Sequence, residues 1–295
     1  MIFLDGVGIG NEDFQFNPFF KYGFRTFKEI FGGIPTLKNQ TLKNKNAFLF
    51  PTDARLGIEG FPQSGTGQTS IFCGMNAPKY VGKHFGPYPY STLIPIIKDE
   101  NIFKNFISLG KKAFFANAYP KIFFDYLKSG RSRLSATSLS CKLSGMKLNS
   151  STDVRKGNAL TAEITNERWN NKLGYKLKIL KPKTAARRLL RIAERNSFTL
   201  YEYFLTDHLG HGRYDGDAQS TLQILDEFLF TVISEIGKEM TLIICSDHGN
   251  LEDLSVKTHT LNPALTISAG KHAEELFFMI KDLSQIKPAI MKIVK

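Results

Sequence analysis

Cysteine is scarce in this chain of 295 residues. The three cysteines, Cys73, Cys141 and Cys245, are widely spaced and odd in number, which argues against a disulfide framework and suits a reducing compartment. No apolar stretch reaches the roughly 18 residues that a membrane span requires, because three acidic residues interrupt the best candidate, residues 222–236. The N-terminal residues lack the basic segment of a secretory signal. We therefore expect a cytoplasmic protein with no membrane segment.

Glycine and proline, at 24 and 12 residues, are too few for a low-complexity chain. Apolar residues make up 42% of the sequence and charged residues 22%, which is typical of a globular protein. A chain of this length can bury a large core, and α/β domains often reach this size. We expect one domain over residues 1–295, with room for a small cap or elaboration within residues 90–183.

Acidic residues are sparse in the middle third of the chain. Residues 101–200 hold 21 of the 39 basic residues and only 5 of the 27 acidic residues, a local charge of +16. The rest of the chain carries −4, so the net charge of +12 arises from this segment. A basic block of this kind suits nucleic acid, an anionic surface or a small anionic substrate. It is equally compatible with an ordinary solvated surface, and composition alone leaves these alternatives open.

Three apolar runs of strand length each lead into an acidic residue. Residues 2–4 precede Asp5, residues 198–205 precede Thr206 and Asp207, and residues 241–245 precede Ser246 and Asp247. Further strands are predicted at 47–50 and 113–116, and helices at 64–74 (a loop entering a helix), 184–196 and 219–236. This alternation predicts an α/β fold with a mostly parallel sheet covered on both faces. The carboxyl ends of such strands line a ligand crevice.

Histidines accompany two of these acidic residues. Asp207 and His211 are four residues apart, Asp247 and His248 are adjacent, and His259 follows shortly afterwards. Carboxylate and imidazole ligands without cysteine suit zinc or manganese. Any one of these histidines alone would more often cap a helix or bond within the core. Their joint pattern predicts a metal site.

Residues 62–70 offer several hydroxyl groups at the start of a predicted helix. The free N–H groups and positive dipole of a helix N-terminus can hold a phosphate. A hydroxyl oxygen beside a metal ion can also act as a nucleophile. The alternative is an ordinary helix cap, for which serine and threonine are favoured in any case.

Five segments occur together in a recognisable order, at residues 4–8, 62–70, 207–211, 246–250 and 258–263. Together they resemble the alkaline phosphatase superfamily of metalloenzymes. Within it the chain is similar to the branch of cofactor-independent phosphoglycerate mutase and phosphopentomutase. The resemblance implies an alkaline-phosphatase-like three-layer α/β sandwich with a mostly parallel central sheet and, at most, a small basic insertion or cap.

The resemblance also implies two divalent metal ions, manganese or zinc, and a serine nucleophile that is transiently phosphorylated. That nucleophile would be Ser64, which precedes Gly67 by three residues as the family's nucleophile precedes its glycine, with Thr66 as the runner-up. The implied ligands are Asp207, His211 and His259 for one ion, and Asp5, Ser64, Asp247 and His248 for the other.

Two departures from the mutases bear on the reaction. Gly67-Gln68 stands where the mutases have Gly-His, and the chain is too short for the large inserted substrate domain of the phosphoglycerate mutases. A mutase must retain its intermediate, so a reduced cap favours hydrolysis of a small phosphomonoester. A phosphomutase acting on a small phosphorylated metabolite is the first alternative. A non-catalytic protein that binds anions or nucleic acid is the second, and the intact ligand set speaks against it.

Overall fold

A computed structural model describes residues 1–131 and 133–294. Seven strands form one sheet in the order β2-β3-β7-β6-β1-β5-β4. The strands are β1 (Ile2–Leu4), β2 (Leu42–Asn44), β3 (Ala47–Thr52), β4 (Ala113–Phe115), β5 (Phe198–Tyr203), β6 (Thr241–Cys245) and β7 (Ala264–Gly270).

The α-helices of the described residues surround this sheet. They are α1 (Pro18–Lys21), α2 (Ser64–Cys73), α3 (Ala77–Val81), α4 (Ile94–Glu100), α5 (Ile102–Ser108), α6 (Lys121–Lys128), α7 (Ala136–Leu143), α8 (Ser151–Arg155), α9 (Glu167–Leu173), α10 (Pro182–Ala193), α11 (Leu205–Gly210), α12 (Ala218–Ser234), α13 (Ala273–Met279) and α14 (Ile286–Val294). A π-helical turn spans Thr26–Ile30, and 3-10 turns span Ser91–Leu93 and Leu283–Gln285.

Five of the seven strands point in one direction. β1 pairs in parallel with β5 and β6, and β4 pairs in parallel with β5. β7 is antiparallel to both β6 and β3, so β3 runs in the same direction as β6, while β2 runs opposite to β3. The predicted mostly parallel sheet is confirmed. The carboxyl ends of β5, β1 and β6 consequently lie side by side at one edge.

Alternate side chains of β1 enter two separate cores. Ile2 and Leu4 pack with α10, α12 and the segment 19–31, whereas Phe3 packs with α2, α5, α7, α13 and α14. This alternation follows from the two-residue period of a strand. Helices therefore cover both faces of the sheet, and the predicted three-layer sandwich is confirmed.

The predicted bounds of strands agree best with the structure where the apolar run is short. Strands 2–4 and 241–245 have the predicted bounds, but the strand predicted over 198–205 ends at Tyr203 and a helix begins at Leu205. Leu205 is buried like the strand residues, so burial pattern alone does not mark the change. Helix α2 begins at Ser64 itself, with no preceding loop inside the predicted range.

The segment between β4 and β5 carries helices α6 to α9 and a small core of its own around Trp169 and Leu177. All three cysteines are buried and unpaired, as expected. No helix within residues 1–131 and 133–294 has both the length and the apolar character needed to cross a membrane.

Phe72 packs helix α2 against strand β1. Its ring meets that of Phe3 edge to face, with centroids 5.8 Å apart, and both rings are buried. Phe72→Ala should lower the free energy of unfolding by about 3–5 kcal/mol, because it removes buried surface and leaves a cavity. Urea denaturation measures this loss. Phe278→Ala, at a side chain that is 64% exposed, is the matched control. Equal losses in the two variants would contradict the packing described here.

Candidate metal centre

The carboxyl ends of three adjacent strands carry most of the candidate ligands. Asp5 follows β1, and Asp247 and His248 follow β6. Asp207 lies beyond β5 in the first turn of α11. The order β6-β1-β5 therefore gathers residues that are more than 200 positions apart in the sequence. The parallel arrangement of the strands explains why these side chains meet.

Asp207 and two histidines form one part of the site. Asp207 Oδ1 lies 3.3 Å from His211 Nε2 and 3.5 Å from His259 Nε2. The two Nε2 atoms are 3.1 Å apart. His211 caps the C-terminus of α11, so its spacing of four residues from Asp207 places both side chains on one face. The ring of His259 also stacks on that of His248, with centroids 3.7 Å apart.

The second part of the site surrounds His248. Its Nε2 atom lies 3.4 Å from Asp5 Oδ1 and 3.5 Å from Asp247 Oδ2. Ser64 Oγ lies within hydrogen-bond distance of the same nitrogen, at 3.0 Å. Potential metal ligand atoms converge within 4.8 Å in two groups, Asp207 with His248 and His259, and Asp5 with Asp247 and His248. The structure thus brings together all seven of the predicted ligand residues.

Backbone carbonyls orient the three imidazole rings. Nδ1 of His211 faces the carbonyl of Lys257 at 2.8 Å, and Nδ1 of His259 faces that of Pro62 at 2.6 Å. Nδ1 of His248 faces the carbonyl of Gly249 at 3.3 Å. A carbonyl oxygen only accepts hydrogen bonds, which assigns the proton to each Nδ1 in the neutral ring. The three Nε2 lone pairs therefore point into the site, as in histidines that bind metals.

The carboxyl groups respond to burial and to one another. Burial raises the pKa of Asp5 well above its usual range, and the Asp247 and Asp207 carboxyls raise it further. Burial likewise raises the pKa of Asp247 to about 7. Burial lowers the pKa of His248 to about 3, which keeps that ring neutral. Burial alone would raise the pKa of Asp207, but the hydrogen bonds that His211 and His259 donate when their rings are protonated lower it overall.

These observations fit divalent cations. Three carboxyl groups and three imidazole rings face one another in a small buried volume. Asp5 Oδ1 is buried and has no hydrogen-bond partner. Buried polar atoms normally have partners, and carboxylate oxygens with imidazole nitrogens are the ligands that zinc and manganese accept. The donor set therefore suits cations better than it suits hydrogen bonds within the protein.

Glu252 holds the surrounding loops together, although the sequence analysis did not single it out. Its buried carboxylate accepts hydrogen bonds from the backbone N–H groups of Gly8 and Asn250, at 2.9 and 2.8 Å. It also accepts from the Thr260 hydroxyl and the Asn262 amide. A Cβ at position 8 would lie 2.6 Å from this carboxyl, so the close approach requires glycine. One side chain thereby joins the loop after β1 to two parts of the loop between β6 and β7, which carries His248 and His259.

Asn250 is a second contributor outside the predicted ligand set. Its amide donates to Asp207 Oδ1 at 2.7 Å and so fixes the orientation of that carboxylate. The sequence held a signal for this residue, because Asn250 closes the Ser-Asp-His-Gly-Asn motif. Glu252 lies only two residues further on, but its partners are spread over two loops.

Comparison with known proteins supports the class of fold. Residues 153–295 match the family model of the Metalloenzyme superfamily. A cold-active alkaline phosphatase from a psychrophilic Shewanella species aligns at a TM-score of 0.54 and 12% identity, covering 100% of this chain and 99% of that one. A mutant alkaline phosphatase of the Antarctic bacterium TAB5 aligns at a TM-score of 0.50 and 15% identity, covering 99% and 96%.

Another likeness is partial. A protein of Pyrococcus horikoshii aligns at a TM-score of 0.40 and 13% identity over 64% of this chain, and the chain spans 44% of that protein's length. No curated protein matches the sequence. The family-model match over residues 153–295 and the fold shared with the Shewanella alkaline phosphatase agree with the predicted resemblance to the alkaline phosphatase superfamily of metalloenzymes. A metalloenzyme family model over this part of the chain also agrees with the predicted divalent metal ions.

Metal binding should depend on pH through Asp247. A cation must displace the proton from this carboxyl, so the apparent metal affinity should rise as the pH passes through about 7. Asp247→Asn should lower bound metal at least tenfold and remove this part of the pH dependence. Calorimetric titration with zinc or manganese measures both effects, with Asp99→Asn at an exposed position as the control. Unchanged binding by Asp247→Asn would exclude Asp247 as a ligand.

The stability of the metal-free protein tests the raised pKa of Asp247 without any metal. The pKa of Asp247 is higher in the folded state than in the unfolded chain, so its proton favours folding at acidic pH. That contribution is fully present below about pH 4 and is lost as the pH rises through about 7. Asparagine resembles the protonated side chain, so metal-free Asp247→Asn should be at least as stable as the parent at pH 8. Thermal denaturation in chelator measures this.

Glu252→Gln should destabilise the loops around the site. Glutamine keeps the size of the side chain but replaces one acceptor oxygen with an NH₂ group, which would face hydrogen-bond donors. We expect a loss of about 1–3 kcal/mol in the free energy of unfolding, measured by urea denaturation with the exposed Glu59→Gln as the control. A loss no larger than that of the control would show that the four hydrogen bonds are dispensable.

Proposed function

We propose that this protein is a metal-dependent phosphatase that hydrolyses a small phosphomonoester through Ser64. The observation that carries this proposal is the position of the Ser64 hydroxyl. It lies 3.0 Å from Nε2 of His248 and so faces the group formed by Asp5, Asp247 and His248. Ser64 is also the first residue of α2, where free N–H groups and the helix dipole favour a phosphate.

The neighbouring hydroxyl is less suited to this role. Thr66 Oγ1 donates to the carbonyl of Gln63 and accepts from the N–H of Phe85, both at 3.2 Å. Both contacts are with backbone groups, and the side chain is fully buried. Thr66 therefore supports the loop after α3, which leaves Ser64 as the better candidate for attack on phosphorus.

We assign Asp207, His211 and His259 to one divalent ion, and Asp5, Ser64, Asp247 and His248 to the other, with manganese and zinc both compatible with these ligands. Two such ions, when bound, supply Lewis-acid stabilisation of the attacking and leaving oxygens. Backbone carbonyls at Nδ1 aim the three imidazole rings inward, and the protein presents Ser64 at the end of a buried helix. Ser64 loses its proton as a bond from Oγ to phosphorus forms and the bond from phosphorus to the ester oxygen breaks, and the alcohol leaves with a proton from solvent. Water then hydrolyses the phosphoserine to serine and inorganic phosphate.

A phosphomutase acting on a small phosphorylated metabolite is the alternative within the same chemistry. The sequence motifs are shared with mutases, but the chain has no room for their large substrate domain. Between β4 and α10, the chain offers only the short helices α6 to α9, with a small core around Trp169 and Leu177. A cap of this size is poorly suited to retaining an intermediate, which favours transfer to water.

Part of the basic charge of the middle third is paired on the surface. Arg187 bonds Glu235 through two nitrogens, and Lys183 lies 4.0 Å from the same carboxylate. Arg168 and Lys172 both contact Asp215, at 2.7 and 2.8 Å. These pairs reduce the positive charge available to a polyanion, so nucleic-acid binding is not the favoured function.

Ser64→Ala should abolish phosphate release from 4-nitrophenyl phosphate by protein that has been stripped with chelator and reloaded with zinc or manganese. The loss should be at least a thousandfold, because the nucleophile is removed. Thr66→Val is the matched control, since it deletes the neighbouring hydroxyl while keeping the side-chain volume. We expect this variant to keep turnover within tenfold of the parent.

The opposite pattern, with turnover lost in Thr66→Val and kept in Ser64→Ala, would assign the nucleophile to Thr66. Phosphoryl transfer between sugar phosphates without release of phosphate would favour the mutase. Absence of both activities in protein shown to bind metal would exclude general phosphomonoester hydrolysis.

A further inference from the structure

A cleft of about 470 Å³ lies beside the carboxyl ends of β4 and β5, between α6 and α9. This volume lies within the range of small-molecule sites. Five aromatic side chains line it: Tyr119, Phe123, Tyr126, Trp169 and Phe204.

The cleft shares a wall with the candidate metal centre. Phe204 and Leu205 line the cleft, and Leu205 begins the helix that carries Asp207. Glu202 also lines the cleft, and it pairs in register with Phe3, two residues before Asp5. Asn117 bonds both the N–H and the carbonyl of Glu202, each at 2.7 Å, which joins the ends of β4 and β5. The cleft and the metal centre therefore lie at the same end of the sheet, on neighbouring strands.

The surface of the cleft suits an uncharged flat ring. Tyr119 and Phe123 stack with centroids 4.0 Å apart and an interplanar angle of 22°. Phe204 is 36% exposed and Ile122, also in the lining, is 68% exposed. Covering apolar and aromatic surface that is in contact with water by another apolar ring lowers the free energy of the complex.

Charge at the cleft does not favour a second anion. Arg168 and Lys172 are both in the lining, but each is paired with Asp215. Glu163 and Glu202 are buried in the wall. The phosphate of a substrate therefore belongs at the metal centre, and the cleft suits the remainder of the molecule.

We propose that this aromatic cleft binds the alcohol portion of the substrate and that this portion is a flat, uncharged ring system. The inference rests on the proposed phosphatase function and narrows its substrate to phosphomonoesters of aromatic or similarly flat alcohols. The cleft then contributes binding energy that the phosphate contacts do not provide.

Trp169 allows the cleft to be tested without turnover, because it is the only tryptophan in the chain. We would titrate metal-free protein with 4-nitrobenzyl alcohol, an uncharged aromatic alcohol that quenches tryptophan fluorescence on contact. Saturable quenching is expected, whereas glycerol should cause none. Linear, non-saturating quenching would overturn the proposal.

Two variants localise the binding. Ala162→Phe places a ring in the lining of the cleft and should weaken the quenching at least tenfold. Phe204→Ala, at a partly exposed side chain, should weaken it about threefold and serves if the first variant fails to fold. Phe278→Ala, at an exposed ring outside the cleft, should leave it unchanged. Equal quenching in all of these variants would exclude the cleft as the binding site.

Kinetics of the metal-loaded enzyme separate this inference from the proposed function. Ala162→Phe should raise the KM for 1-naphthyl phosphate at least tenfold and leave that for glycerol phosphate within twofold. Turnover of both substrates with no such difference in KM would overturn the proposed role of the cleft and would leave the proposed phosphatase function supported. Saturable quenching in a protein with no turnover would support an aromatic site and count against the phosphatase.

Discussion

The burial of several ionisable groups in one small volume is the constraint on which the rest of this structure depends. Three carboxyl groups and three imidazole rings face one another there, with Nε2 atoms as close as 3.1 Å. Burying ionisable groups costs free energy, so the rest of the fold must hold them in place. Backbone carbonyls fix the three rings, and Glu252 fixes the loop that carries two of them.

The sheet supplies the stiffness that this arrangement needs. β1 lies between β5 and β6, and its side chains are buried in cores on both faces. Asp5 therefore extends from a strand that cannot shift without disturbing either core. Helix α2 is buried along its whole length, which holds Ser64 equally firmly. Dense packing on all sides lets the protein keep like groups together, because interiors resist small displacements.

The sequence predicts the centre of this structure better than its surroundings. Ligand motifs stand out because aspartate and histidine are uncommon beside apolar strands, and β1 and β6 have the bounds that their short apolar runs predict. β7 was not predicted, although Leu265 and Ile267 alternate with threonine and serine. Glu252 could not be found in this way, because its partner Gly8 is distant in sequence and its nearer partners follow no helical or strand period. The aromatic cleft could not be found either, because its lining comes from distant segments of the chain.

The metal centre and the aromatic cleft, the two parts of the proposed substrate site, differ in whether they need bound cations. The carboxylates of Asp5, Asp207 and Asp247 would repel a phosphate dianion, so the phosphate can be held only after cations have reversed the local charge. The cleft around Trp169 has no such requirement, since its aromatic surface is already formed and Asp215 offsets one of the two positive charges of Arg168 and Lys172. Binding of the ring and binding of the phosphate therefore rest on different interactions. The segment from Glu202 to Asp207, held by Asn117, connects the cleft to the metal centre.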